Sequence, residues 1–178
     1  MTLTGANSAP VGRQWTERGA VTREWQTGVA PVEMKLEVVV LPVSDVDYAK
    51  TFYLCAGFRE DFDFSSGDDF RVVQFTPSGS GASIVFGLGI TNAAPGSVEG
   101  LQLVVPDIEA ARVGLIGRGI DVTDVFHDIV GVFYHRSPAY EIPGVDPDRR
   151  SYGSFARFSD PDGNEWVLQE VSQRAAGR

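Results

Sequence analysis

The sequence predicts an α+β fold built from two tandem β-α-β-β-β modules. The segment that starts at Leu36 resembles the segment that starts at Val98, when the chain is shifted by 62 positions. In both copies a β-branched or apolar run leads into a segment of helical periodicity, which a glycine follows. With 178 residues, 43% of them hydrophobic, the chain is long enough to bury a core. One structural unit has therefore been used twice.

The first strand and the helix after it are predicted from the same signals in both copies. Residues 38–40 and residues 103–105 are the strand-forming runs. Ser44 or Asp45 can cap the first helix that follows, and Asp107 can cap the second. Apolar residues then recur at helical spacing with polar residues between them, at Val46, Ala49, Tyr53 and Ala56 in the first copy and at Ile108, Ala111 and Leu115 in the second. Each helix is expected to turn one stripe toward the core.

The end of each helix is predicted by a glycine. Gly57 and Gly119 stand at corresponding positions, and glycine has no Cβ to oppose the left-handed conformation that ends many helices. Turn-rich segments then divide the rest of each copy into three strands, predicted near 58–64, 70–76 and 82–87 in the first copy and near 120–127, 154–159 and 165–170 in the second.

The predicted organisation has four parts, with one long insertion. Residues 34–97 form the first module and residues 98–172 the second. Residues 1–33 show no sustained apolar periodicity and are expected to be a flexible extension, and residues 173–178 a short tail. The insertion at 128–152 exceeds ordinary loop lengths. A lid, a contact with a partner and a plain surface loop all remain open for it.

Composition narrows the choice of partners and compartment. Fifteen Lys and Arg against 24 Asp and Glu give a net charge of -9, which argues against nucleic acid and an anionic membrane and favours a neutral or cationic small molecule. The single cysteine, Cys55, excludes an internal disulfide and fits a reducing compartment. Because neither a transmembrane run nor a signal peptide is evident, a cytoplasmic protein is expected.

Three motifs in register give the chain a family resemblance. They are Leu-Pro-Val-Ser-Asp-Val at 41–46, Val-Pro-Asp-Ile at 105–108 and Phe-Ser-Asp-Pro-Asp-Gly-Asn at 158–164. Together with the tandem modules they resemble the vicinal oxygen chelate superfamily of glyoxalases, extradiol dioxygenases and bleomycin-resistance proteins, over residues 35–171. The resemblance implies a cupped, eight-stranded sheet that holds the substrate in its concavity, often over a divalent metal, and it implies a homodimer.

The metal site implied by the resemblance lacks its ligands in this sequence. Family enzymes place His, Gln or Glu on strands one, four, five and eight, and the aligned positions here are Val38, Ile84, Gly100 and Val167. Valine, isoleucine and glycine side chains offer no lone pair to a metal ion. We therefore predict a protein without a metal or another cofactor.

The lining of the cup is predicted from the alternation of side chains along strands. Glu165 and Gln169 share the face of Val167, and Gln102 shares the face of Gly100. A hydrated rim position or an internal hydrogen bond is the alternative for these three polar residues. Apolar liners are expected among Phe62, Phe64, Phe70, Phe86, Phe126 and Phe133. The predicted ligand-binding residues are Val38, Ile84, Phe86, Gly100, Gln102, Phe126, Val167 and Gln169.

Three functions remain open for such a cup. The first, which we predict, is sequestration of a small hydrophobic or cationic organic molecule without a metal. The second is a metal-independent isomerase, cyclase or lyase that uses His127, Glu165 or Tyr140 as acid-base groups, with His127 beside Asp128. The third is a metal-dependent glyoxalase or dioxygenase with displaced ligands. Fold alone does not decide among them, since function lies in the site.

Overall fold

The computed structural model describes residues 32–132 and 134–174. The chain divides into two units, residues 1–34 and residues 35–178. The predicted N-terminal extension lies outside the described residues except for its last two positions, and so do Phe133 and the last four residues of the predicted tail. Neither helix in the described part of the chain is long and apolar enough to cross a membrane.

The first module has the predicted order of elements. It consists of β1 (Val38–Val40), α1 (Val46–Ala56), β2 (Arg59–Ser66), β3 (Phe70–Thr76) and β4 (Ser83–Leu88). The strands form a first sheet in the order β1-β4-β3-β2, in which β1 runs parallel to β4 and the other pairs are antiparallel. This is the β-α-β-β-β module that the sequence predicts.

The second module repeats this arrangement and adds a strand from the insertion. Its elements are β5 (Leu101–Val105), α2 (Ile108–Ile116), β6 (Phe126–Asp128), a short 3-10 helix (Pro138–Tyr140), β7 (Glu141–Pro143), β8 (Ser154–Ser159) and β9 (Glu165–Glu170). The strands form a second sheet in the order β5-β9-β8-β6-β7. The predicted α+β class with tandem modules is confirmed. Strand β6 is much shorter than the predicted strand, and β7 was not predicted.

Both helices begin at predicted cap residues, and the first helix ends at its predicted glycine. Asp45 accepts a hydrogen bond from the Tyr48 N–H at 2.9 Å, and Asp107 accepts one from the Ala110 N–H at 2.9 Å. Gly57 follows α1 in the left-handed conformation, with φ of 88°. The predicted start signals and the first stop signal are therefore confirmed.

The second helix ends slightly earlier than its glycine signal. Its regular part stops at Ile116, and Gly119, with φ of 85°, closes the turn that follows. The Gly119 N–H donates to the Ile116 carbonyl and the Ile120 N–H donates to the Leu115 carbonyl. These are the two hydrogen bonds that a left-handed glycine makes at a helix end, so Gly119 has its predicted role one turn after the regular helix.

One core joins the helices to both sheets. Tyr53 of α1 is fully buried, and its ring lies 5.5 Å from Phe86 of the first sheet and 6.3 Å from Trp166 of the second sheet, between ring centroids. The side of each sheet that faces the helices is named its inner face, and the opposite side its outer face. Because α1 contacts the inner faces of both sheets, each outer face points away from this core.

The turn at 160–164 ties the two modules together. Asp160 is buried and accepts hydrogen bonds from three backbone N–H groups of its own turn. Its second oxygen accepts from the Tyr53 hydroxyl at 2.9 Å and from the Asn164 side chain at 2.7 Å. Asn164 also donates to the Pro42 carbonyl at 3.0 Å. The motif that carries the family resemblance is therefore a structural joint.

Candidate functional site

The outer face of the second sheet carries a buried apolar cluster of its own. Phe126, Phe155 and Val167 form it, apart from the main core, and Tyr134 of the insertion packs against it. The Tyr134 ring lies 5.6 Å from the Phe155 ring and 6.3 Å from the Phe126 ring, between centroids. These three residues are named the apolar floor. The insertion therefore lies over this face of the sheet.

Arg157 borders the apolar floor and is held by several contacts. It lies on the same face as Phe155, two residues earlier in β8. Its guanidinium donates to both oxygens of Glu141, at 2.6 and 2.9 Å, and its Cζ lies 4.8 Å from the Phe126 ring centroid. It also donates to the Tyr134 hydroxyl at 3.2 Å. The hydrogen bonds to Glu141 raise the pKa of Arg157, so the site holds a permanent cation.

Glu165 presents a carboxylate oxygen without a partner. Its Oε1 is buried and has no hydrogen-bond partner among the described residues. Its Oε2 lies 3.9 Å from the Arg136 guanidinium, which also forms an ion pair with Glu99. An unsatisfied buried acceptor costs free energy, about 1–3 kcal/mol, and buried acceptors without partners are rare in native proteins. Glu165 is therefore ready to accept a hydrogen bond from a bound molecule.

Two cavities adjoin Arg157. One, of about 440 Å³, is lined by Asp121, Thr123, Arg157, Phe158, Ser159 and Glu165. The other, of about 320 Å³, is lined by Thr123, Asp124, Val125, Phe126, Pro138, Glu141, Pro143 and Arg157. Cavities of this size suit a small organic molecule. The apolar floor, the cation and the free carboxylate oxygen thus belong to one region, which is the candidate site.

The two predicted glutamines have different surroundings on this face. Gln169 is buried, and its amide donates to the Tyr152 carbonyl at 3.0 Å. An internal hydrogen bond of this kind is the alternative that the sequence leaves open to a ligand contact. Gln102 lies opposite Val167 in the pairing of β5 with β9 and is exposed. Gln102 is thus accessible to a ligand, whereas the amide of Gln169 is already engaged within the chain.

The expectation that Ile84 and Phe86 line the cup is wrong. Both side chains are buried in the main core on the inner face, where Phe86 stacks on Phe75 at 5.8 Å. Phe75 pairs with Ile84, whereas the equivalent Phe158 pairs with Trp166. The turn between these strands is therefore one residue longer in the first module, and counting from the phenylalanines shifts the register by one. The outer face of β4 carries Val85 instead.

The residues at the family's metal positions do not fit a divalent metal. Val38 pairs with Ser83 at the start of β1, Val85 takes the position on β4, and Gly100 and Val167 stand on the second module. None of these four aligned residues has a side chain with a lone pair. Among the described residues, no group of three or more His, Cys, Asp and Glu side chains could hold a metal ion.

The prediction that His127 acts as an acid-base group beside Asp128 at the cup does not fit the structure. His127 points to the side of β6 opposite Phe126, because neighbouring side chains alternate, and its Nδ1 lies 3.0 Å from the Gly144 carbonyl oxygen. Glu165 lies on the outer face with Val167, so His127 and Glu165 are on different faces of the sheet. His127 is therefore not placed to act on a molecule that Glu165 binds.

Asp128 contacts His135 and not His127. His135 Nδ1 lies 2.6 Å from Asp128 Oδ2, and the ring of Tyr140 stacks on His135 at 4.6 Å. Burial acts to raise the pKa of Asp128, but hydrogen bonds from Val130 and His135 outweigh it and hold the pKa below its ordinary value. Tyr140 thus contacts this pair.

Sequence reasoning missed Arg157, Glu141 and Tyr134. The alternation of Phe155, Arg157 and Ser159 along β8 was a usable signal for Arg157, since it puts that residue on the face of the apolar floor. No comparable signal existed for Glu141 and Tyr134, because the insertion has no periodicity from which to assign a face. Both reach the site through the path of the insertion across the sheet.

The outer face of the first sheet carries three partly exposed aromatic residues on β2 and β3. Asp63 contacts Lys50 of α1 at 2.8 Å and so lies on the inner face, which places its neighbours Phe62 and Phe64 on the outer face. Phe62, Phe64 and Phe70 are 44%, 55% and 37% exposed. These three aromatic residues are named the aromatic face. Phenylalanines predicted to line a cup thus lie together on one surface.

Solved structures of known proteins resemble this fold. TnmS3, an antibiotic binding protein from Streptomyces sp. CB03234, is 30% identical, with a TM-score of 0.57 over 80% of this chain and 100% of that one. A glyoxalase/bleomycin resistance protein from the same strain is 31% identical, with a TM-score of 0.53 over 76% and 100% of the two chains. No protein-family model and no curated protein matches this chain.

A third solved structure agrees with these two. A member of the glyoxalase/bleomycin resistance protein/dioxygenase superfamily from Sphaerobacter thermophilus DSM 20745 is 27% identical, with a TM-score of 0.57 over 78% of this chain and 98% of that one. Identity of 30% or more over the whole length of two of these proteins, together with the tandem modules and the joint at Asp160, identifies the family. The chain belongs to the glyoxalase/bleomycin resistance protein/dioxygenase superfamily, which is the vicinal oxygen chelate superfamily.

Proposed function

We propose that this protein binds a small hydrophobic or cationic organic molecule on the outer face of the second sheet, without a metal, and acts by sequestration. The observation that carries the proposal is the buried Oε1 of Glu165, which has no partner among the described residues. A ligand N–H or O–H would satisfy it, and a cationic donor would satisfy it best. The apolar floor supplies area for a hydrophobic body of the ligand.

The relatives support sequestration over catalysis. The 30% identical TnmS3 is named an antibiotic binding protein, and the 31% identical protein is named for bleomycin resistance as well as glyoxalase. The net charge of -9 favours a cationic over an anionic ligand at long range. The single cysteine, Cys55, fits the cytoplasm as the place where such a protein would act.

A metal-independent isomerase, cyclase or lyase is the second candidate. The observation in its favour is the contact of Asp128 with His135, since a carboxylate that holds Nδ1 leaves Nε2 free to accept a proton. Tyr140 stacks on this imidazole and is the further acid-base group. Recovery of a chemically altered ligand after incubation, detected by native mass spectrometry, would favour this candidate over sequestration.

We also infer a homodimer in which a second copy covers the aromatic face. Phe62, Phe64 and Phe70 expose aromatic surface side by side, and contiguous exposed apolar surface is typical of a protein–protein interface. In the described chain each outer face points away from the core that α1 shares with both sheets, so the wall opposite the aromatic face is expected to come from a partner. A second copy of this chain supplies the missing wall by symmetry.

Calorimetric titration tests the binding proposal. Naphthylmethylammonium, a hydrophobic cation with N–H donors, is expected to bind, and naphthalenesulfonate, which has the same rings and a negative charge, is expected to bind more weakly. E165Q should weaken binding of the cation by about tenfold, because a charged hydrogen bond of this kind is worth roughly 1.4 kcal/mol or more. E37Q, a change at an exposed glutamate before β1, serves as the matched control.

Two results would contradict the proposal. Equal affinity of E165Q and the unaltered protein for the cation would remove the role of Glu165. Stoichiometric iron, manganese, nickel or zinc in protein purified without chelators, measured by elemental analysis, would contradict binding without a metal.

A further inference from the structure

Tyr134 occupies the candidate site in the manner of a bound molecule. Its ring lies against Phe155 and Phe126, with centroid distances of 5.6 and 6.3 Å, and its hydroxyl oxygen accepts a hydrogen bond from Arg157 at 3.2 Å. The apolar ring and the oxygen thus each have a dedicated partner. Among the described residues of the insertion, only Tyr134 packs against the apolar floor.

The surroundings of Tyr134 allow it to leave. Ile129 and Val130, earlier in the insertion, have side chains that are 60% and 63% exposed. The segment is instead held at Asp128, which accepts hydrogen bonds from the backbone N–H groups of Val130 and His135, and at the strand pairing of Glu141 with Asp128. Both anchors remain in place when the Tyr134 side chain rotates away, because neither involves that ring.

The site left by Tyr134 has a defined chemical preference. Arg157 is fixed by its two hydrogen bonds to Glu141 and keeps a donor directed at the position of the phenol oxygen. The apolar floor below would be exposed to water, so an apolar aliphatic ligand would restore only part of what is lost. A planar aromatic ring that carries an oxygen restores both contacts.

We propose that Tyr134 is a tethered occupant of the ligand site, and that the ligand places a phenolic ring in the position of the Tyr134 ring with its oxygen at Arg157. This inference rests on the proposed function and names the class of ligand for that site. Tyr134 then competes with the ligand, so that binding includes displacement of a side chain of the protein itself.

The probe that tests the proposal is para-cresol, which has the structure of the tyrosine side chain. Y134A in the full chain is expected to bind para-cresol at least about tenfold more tightly than the unaltered protein, because no tethered ring competes. Toluene, which lacks the oxygen, is expected to bind Y134A more weakly than para-cresol. I129A, an exposed position in the same insertion, should bind para-cresol as the unaltered protein does. Titrations followed by NMR provide these affinities.

A second measurement applies if Y134A does not fold. Fluorotyrosine is incorporated into the unaltered protein, the Tyr134 resonance is assigned by its absence in Y134F, and para-cresol is added. The Tyr134 fluorine resonance is expected to move toward that of free tyrosine as the ring leaves the apolar floor. Equal binding of para-cresol by Y134A and the unaltered protein, or a fluorine resonance unchanged at saturation with para-cresol, would overturn the proposal.

The outcomes separate this inference from the proposed function. If naphthylmethylammonium binds in a manner that depends on Glu165 while para-cresol shows no preference for Y134A, the proposed function stands and the role of Tyr134 is rejected. If neither compound binds any of the proteins, both are rejected.

Discussion

Tyr53 has a buried hydroxyl that lies between the two modules. It donates to Asp160 at 2.9 Å and accepts from the Trp166 indole N–H at 3.3 Å. Burial, together with the nearby Asp160 charge, raises the pKa of Tyr53, so the hydroxyl keeps its proton and remains a donor near neutral pH. This single oxygen thus joins α1 of the first module to the turn and the last strand of the second.

Replacing Tyr53 by phenylalanine is expected to destabilise the protein by about 1–3 kcal/mol, because Asp160 loses a donor and the Trp166 N–H loses its acceptor inside the core. Urea unfolding followed by circular dichroism measures the change. Y48F, at an exposed tyrosine of the same helix, is the control and should leave the free energy of unfolding unchanged. A change of equal size in both variants would contradict the role of the buried hydroxyl.

At the level of residues, the alternation of side chains along a strand predicts the face of the sheet on which each side chain lies. The prediction holds only where the loop length used in counting is correct. Val167 and Glu165 fall on the outer face as the sequence predicts, because their strand is counted from the adjacent turn at 160–164. Ile84 was placed by counting across a hairpin whose turn is one residue longer than its counterpart, and a one-residue slip reverses the face. Tyr134 lies in a segment with no period, so its position depends on tertiary contacts alone.

At the level of elements, glycines have opposite effects in the two helices. Gly57 follows α1 with φ of 88°, a conformation that costs a residue with a Cβ about 1–2 kcal/mol. Gly114 lies within α2, and a Cβ added there would meet no atom within 4 Å. Glycine inside a helix is less favourable than alanine by about 0.5–1 kcal/mol.

We therefore expect G57A to destabilise the protein by about 1–2 kcal/mol and G114A to stabilise it by about 0.5–1 kcal/mol, since only the first position needs the left-handed conformation. Thermal unfolding of the two variants and the unaltered chain provides the comparison, and each variant is the control for the other. The same sign for both changes would mean that the backbone conformation does not determine these effects.

The structure contains the helices and strands that periodicity and caps predict. The middle strands of the second module differ from the prediction. Caps at Asp45 and Asp107 are local hydrogen bonds, so the sequence is sufficient to predict them. Strand β6 is limited to Phe126–Asp128, where β7 and β8 supply partners on both sides. Such pairing is set by distant residues, which explains why neither the length of β6 nor the existence of β7 followed from the local pattern.

At the level of the whole molecule, the outer faces of the two sheets differ in how far the chain covers them. The second sheet has the insertion across its apolar floor, while the aromatic face of the first sheet has no cover among the described residues. Helix α1 packs on the inner faces, so it does not cover the aromatic face. A second copy of the chain would cover it, as the inferred homodimer requires.

Replacing Phe64 by glutamate tests this arrangement, because the change puts a charge into the aromatic face at a position that is 55% exposed and leaves the core untouched. Sedimentation equilibrium should find the unaltered protein as a dimer and F64E with a dissociation constant raised by about thirtyfold or more, since a central aromatic contact of an interface is worth roughly 2 kcal/mol. L54E, at an exposed leucine of α1, introduces the same charge elsewhere and should remain dimeric. A monomeric unaltered protein, or equal weakening by both changes, would show that the aromatic face is not the dimer contact.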